Sequence, residues 1–168
     1  MRASDRAYAS LLDEIQRGIL PAGAVVGEGE LAARLAAERG DAATFAVLAD
    51  EFESASLEGQ AGLDAYYGLI ARFDAALDES VGNDYLTTAL RGVRTHLVRV
   101  RRLARDNPDR LAASVAEHRL IAAAIAAGDA ELSAHATHVH LHNALANILA
   151  SVELVSTGAT TARSEGAA

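Results

Sequence analysis

Three residues able to do chemistry stand at separate places in this chain: Asp74, His118 and His140, each inside a stretch with helical periodicity. A carboxylate and imidazoles brought from different helices into the interior of a bundle can hold one divalent ion, with open positions left for water or a ligand. Three further histidines, His135, His138 and His142, share a run with His140. Cysteine is absent, so disulfides, thiolate metal sites and cysteine nucleophiles are excluded, and histidine and carboxylate chemistry is what remains. On spacing alone, a histidine on a helical stripe is more often a hydrogen-bonded core residue than a ligand, and that plainer role stands beside the metal role for His118.

The elements that must position these residues are helices. Alanine and leucine are abundant, β-branched runs are scarce, and the only prolines are Pro21 and Pro108. Helices are expected at about 4–17, 28–39, 42–56, 61–80, 83–105, 109–127 and 130–155. Gly18, Pro21–Gly23, Gly40, Gly82–Asn83, Asp106–Pro108 and Gly128–Asp129 supply the breaks between them. Leu111, Val115, His118, Ala122 and Ile125 recur at spacings of three and four, which turns His118 to the core. Asp74 shares a stripe with Ile70, Leu77 and Val81, so its carboxylate is expected near the interior. On the last helix Leu141, Leu145, Ile148 and Val152 mark the expected buried face. His140 lies about 100° from Leu141, at the edge of that face, whereas His138 and His142 are about 200° from His140 and fall to solvent.

With 168 residues, 51% of them hydrophobic, the chain suits one compact domain with an ample core. Its net charge of −8 disfavours a general nucleic-acid footprint. Arg91, Arg94, Arg99, Arg101, Arg102 and Arg105 are basic, but their spacing spreads them around a helix, which suits salt bridges to the many carboxylates. Arg94 and Arg101 share one face and are the candidates to pair with an effector carboxylate. The N-terminal stretch MRASDRAYASLLDEIQRG is neither a signal peptide nor a membrane anchor, so a cytoplasmic location is expected, with no membrane partner. The segment 156–168 has no periodicity and is expected to be a disordered tail.

The order of segments resembles the effector-binding FCD domain of GntR-type transcriptional regulators of the FadR subfamily. The likeness rests on LAARLAAERG (31–40), FDAALDESVGNDYL (73–86) and RLAASVAEHRLIAAAIAAGDAELSAHATHVHL (110–141), above all on Glu117–His118, Gly128–Asp129, His140 and the turn at Gly82–Asn83. Such a domain is all-α, an antiparallel helical bundle, often with a divalent ion in a cavity that receives a small carboxylate effector. The resemblance places His118 and His140 on two ligand positions. Where family members carry an acid and a histidine four apart, this chain has Ile70 and Asp74, so the set becomes Asp74, His118 and His140. Two imidazoles and a carboxylate suit zinc, nickel, manganese or iron. Residues 8–35 also resemble the opening of a winged helix-turn-helix, without the recognition helix and wing that should follow. Residues 1–27 are thus expected to be a remnant of a DNA-binding head, and 28–155 the bundle.

Three functions follow. The first is a metabolite-sensing regulator, not an enzyme, that binds a divalent metal and a small carboxylate effector and binds DNA on its own weakly or not at all. The second is a free-standing metal-binding, metabolite-binding or dimerisation module, acting as a homodimer or as a heterodimer with an intact relative. The third, a metal-dependent enzyme, lacks an identifiable general base or nucleophile.

Overall fold

The architecture follows from where the sequence starts and stops its helices. The computed structural model describes residues 27–92, 94 and 107–165, and among them six helices and no strands. They are α1 (Glu28–Arg39), α2 (Ala42–Glu53), α3 (Gly59–Val81), α4 (84–92), α5 (Pro108–Ala126) and α6 (Ala130–Glu165). The expected first helix, the proposed head remnant up to residue 26, Arg101 and the remainder of the 83–105 helix, except residue 94, lie outside the described residues.

Short polar side chains begin four of these helices by accepting orphan backbone N–H groups. Asp41 accepts from Thr44 N at 3.1 Å, and Asn83 from Tyr85 N and Leu86 N at 3.0 and 3.2 Å. Asn107 accepts from Arg110 N at 3.1 Å, with Pro108 in the first turn, and Asp129 accepts from Leu132 N at 2.9 Å. Two stops use glycine where a left-handed backbone is needed, at Gly82 (φ 58°) and Gly128 (φ 70°).

The main core gathers aromatic and aliphatic side chains from α2, α3 and α5. Phe45 and Phe52 of α2 meet Phe73 of α3 edge-on, with ring centroids 6.1 and 5.9 Å apart. Tyr66, Ile70 and Leu77 continue the α3 stripe, and Leu111, Ile121, Ala122 and Ile125 supply the α5 side. A smaller cluster of Ala32, Leu35, Val81, Leu86 and Leu90 fastens α1 to the end of α3 and to α4. Helix α1 lies along α6, where Arg34 pairs with Glu131 at 2.6 Å and Glu30 with His138 at 2.8 Å. Gly29 lets this seam close, because a Cβ there would stand 3.0 Å from Leu141 Cδ1.

The all-helical bundle expected from periodicity is what the chain forms. Three details differ. Helix α2 stops at Glu53 instead of 56, where the Ser54 hydroxyl donates to Asp50 O at 3.0 Å. Helix α6 runs on to Glu165, past the expected end at 155, through a stretch without proline. Up to residue 150 its buried residues are Ser133, Ala134, Ala136 and Thr137, while Leu141 and Leu145 are 38% and 53% exposed; the side chain of Val152 lies outside the described residues. Close approach of α1 and α5 demands small residues on the first half of α6, so the leucines expected in the core sit at the mouth of a cavity instead. No helix among the described residues is long and apolar enough to cross a membrane.

Candidate functional site

His118 is built into the core by its helix phase, as its stripe on α5 requires, and is 7% exposed. Its ring lies on Phe52, centroids 5.2 Å apart and planes at 24°, with the edges of Phe73 and Tyr66 at 5.7 and 6.3 Å. Nδ1 stands 2.7 Å from the carbonyl oxygen of Ser114, one turn back on the same helix. A carbonyl only accepts, so Nδ1 carries a proton. Close by, the Tyr66 hydroxyl donates to Ser114 Oγ at 2.9 Å, fixing α3 to α5 beside the imidazole.

His140 arrives from α6, and the two imidazole centroids are 4.4 Å apart at 64°. Its Nδ1 lies 2.7 Å from Glu117 Oε2. Glu117 also accepts from Arg110 Nη1 and Nη2 at 3.0 and 2.7 Å and from Asn143 Nδ2 at 2.8 Å. Burial pushes the Glu117 carboxyl up, but hydrogen bonds from His140, Arg110 and Asn143, with the Arg110 charge, outweigh it and bring the carboxyl down to about 2. An ionised carboxylate only accepts, so Nδ1 of His140 also carries its proton. Both rings are thereby held in one tautomer and one orientation by an acceptor behind them.

The imidazoles stand on the wall of a cavity of about 210 Å³. Tyr66 and Ile70 of α3, Leu111 of α5, and Leu141, Leu145 and Ile148 of α6 make most of the remaining wall, with Arg110, Ser114 and Asn147 as further polar groups. Such a space, mainly apolar with a few convergent polar groups, is the general form of a small-molecule site.

The other expected site residues are placed differently. Asp74 bonds Arg94 Nε at 3.3 Å, and Arg94 Nη1 also reaches Asp78 at 2.7 Å. Asp74 is not on the cavity wall; Ile70, one turn earlier, is. Arg94 therefore ties α3 to the helix of residues 84–92. His138 is exposed and pairs with Glu30, and His135 and His142 are exposed. Among the described residues no three histidine, aspartate or glutamate side chains form a group that could hold a metal ion. The donor set suits a resident ion only in part: two oriented imidazoles meet, and the expected carboxylate is engaged by an arginine.

Glu117, Arg110, Tyr66 and Ser114 were not among the residues picked out for roles. Arg110, Ser114 and Glu117 recur at spacings of four and three on α5, with His118 next in line, a signal present in the sequence. What periodicity does not contain is that this face meets His140 of α6.

The fold is thus an all-helical bundle with an apolar cavity at which two oriented imidazoles meet. Residues 29–143 match the FCD domain, and the chain belongs to that family, whose domain is the effector-binding part of GntR-type regulators. No curated protein and no solved structure matches the chain.

Proposed function

We propose that this chain is the ligand-sensing part of a FadR-subfamily GntR-type regulator, with the cavity between α3, α5 and α6 as the effector site. The observation that carries the reading is the meeting of His118 and His140 on the wall of a cavity of about 210 Å³ inside the matched domain. Its apolar wall supplies binding energy by removing hydrocarbon from water, and the imidazoles orient whatever polar group the ligand brings. Helix α6 contributes His140, Leu141, Leu145 and Ile148 to the cavity and also packs along α1 through Thr137 and Leu141, so an occupant bears on the helix nearest the N-terminal segment. Without a recognition helix in the sequence, DNA binding by this chain alone is absent or weak, and its effect on transcription runs through pairing with an intact relative.

A thermal-shift screen of small metabolites tests this reading. At least one compound is expected to raise the melting temperature, and Ala144→Phe, which fills the cavity, is expected to abolish the rise. A rise that survives the filled cavity places the site elsewhere.

A second reading keeps the expected ion. Metal-bound histidines as a rule donate their other ring nitrogen to a carbonyl or carboxylate, and both His118 and His140 do so here. An ion would take these two imidazoles and require Asp74 to exchange Arg94 for it, or a carboxylate effector to complete the set. Stoichiometric zinc, nickel, manganese or iron in protein purified without added metal, lost in His118→Ala and His140→Ala, would favour that form; its absence favours the cavity alone.

A further inference from the structure

We propose that the cavity takes a small, uncharged, largely apolar molecule that carries a hydroxyl or N–H group, held by hydrogen-bond donation to Nε2 of His140, with no ion between them. This rests on the effector-site reading and names the chemistry of its ligand. Four observations support it.

The positive charge at the cavity is already matched. Both terminal nitrogens of Arg110 bond Glu117, at 3.0 and 2.7 Å, and each of these side chains is less than 15% exposed, at 11% and 14%. A second anion brought to Arg110 would have to displace Glu117 or share a guanidinium with it, and both choices leave a buried charge poorly compensated. Arg94, the other arginine expected to receive a carboxylate, is held by Asp74 and Asp78.

The histidines present acceptors. Ser114 O and Glu117 Oε2 can only accept, which fixes the protons on Nδ1 of His118 and of His140. In the neutral form of His140 this leaves Nε2 as an acceptor, which attracts a donor hydrogen and repels a carboxylate oxygen.

Two nearby donors, the Tyr66 hydroxyl and the Asn143 amide, are occupied as well. The Tyr66 hydroxyl donates to Ser114 Oγ at 2.9 Å, and Asn143 donates to Glu117 at 2.8 Å. Ile70, buried at the cavity, adds hydrocarbon to the wall beside Tyr66, Leu111 and Ile148.

Calorimetric titration of the full chain, treated with EDTA and dialysed at pH 8, tests this with four probes: cyclohexanol, toluene, benzoate and succinate. Cyclohexanol is expected to bind at least tenfold tighter than benzoate, succinate to give no heat, and toluene to bind more weakly than cyclohexanol because it brings no donor. His140→Leu is expected to erase the preference of cyclohexanol over toluene while toluene binding persists, which also shows that the variant's cavity is intact. If benzoate or succinate binds tighter than cyclohexanol, or binds only after zinc is restored, the ligand class is wrong and the effector-site reading stands. Equal affinity for toluene and cyclohexanol in the unaltered protein removes the role given to His140. If none of the four binds and Ala144→Phe leaves the small-metabolite thermal shifts unchanged, the effector-site reading falls, and the ligand class with it.

Discussion

Two acid–arginine clusters cross-link this bundle, and each joins two helices that follow one another in the sequence. Around Glu117, a carboxylate from α5 takes hydrogen bonds from Arg110 on its own helix and from His140 and Asn143 on α6. Around Arg94, carboxylates of Asp74 and Asp78 from α3 hold an arginine from the next helix, and Arg91 adds a bond to Asp78 at 3.3 Å. The first cluster ends on an imidazole that lines the cavity; the second contributes nothing to the cavity wall. An acid can face the interior in both cases, and what decides its role is the partner that reaches it. Beside Glu117 the partner includes a histidine, so the acid sets a tautomer. Beside Asp74 it is a guanidinium, so the acid is consumed in holding two helices together.

The largest expected effect comes from the packing under the first cluster. Phe52 is fully buried and stacked on His118, and Phe52→Ala is expected to cost about 3–5 kcal/mol in urea unfolding, because truncating a buried ring leaves a cavity that neighbours fill only partly. If the cost were under about 1 kcal/mol, His118 would not be held by this stack.

Glu117→Gln should come next. It leaves the Arg110 charge without its counter-ion, with a loss of about 2–3 kcal/mol, less than for a fully desolvated pair because both side chains keep some exposure. The wild type and this variant should also differ in acid. The folded-state pKa of Glu117 is depressed, from 4.5 to about 2, so the stability it adds is fully present above 4.5 and is lost as pH falls from there through about 2. Unfolding midpoints measured from pH 6 down to pH 3 should therefore converge for the two proteins; parallel curves would show that Glu117 is not the source.

The second cluster should be the more forgiving. Asp74→Asn leaves Arg94 bonded to Asp78, and the expected cost is about 1 kcal/mol or less, with Asp78→Asn somewhat larger because Asp78 meets both Arg91 and Arg94. A loss at Asp74 as large as that at Glu117 would erase the distinction between the clusters.

Much of this was legible in the sequence. Helix phase placed His118 in the core and His138 in solvent, and it put His140 at the edge of a buried face, because spacings of three and four fix direction within one helix. Phase also drew Asp74 inward, and its side chain is half-buried against Arg94. It had no access to the arginine that meets it, since Arg94 comes from another helix and its approach depends on how α3 is crossed. The leucines of α6 were assigned to the core by the same rule, and they line the cavity mouth because α1 and α5 close on the small residues Ser133, Ala134 and Ala136 first. Hydrophobic patterning reports which side of a helix is apolar, and a ligand cavity is apolar too, so the pattern does not separate the two. Glu117 was visible only as part of a motif; its role required knowing that its carboxylate and His140 meet.

The central claim is that protein acceptors hold both imidazoles with their protons on Nδ1 and turn Nε2 to act as acceptor. Long-range ¹H–¹⁵N correlation spectra of histidine-labelled, metal-free protein at pH 8, assigned with His118→Gln and His140→Gln, read the tautomers directly. The account predicts that the resonances of His118 and His140 both show a protonated Nδ1 and a bare Nε2, and that cyclohexanol shifts the bare nitrogen of His140. A proton found on Nε2 of either ring would contradict it.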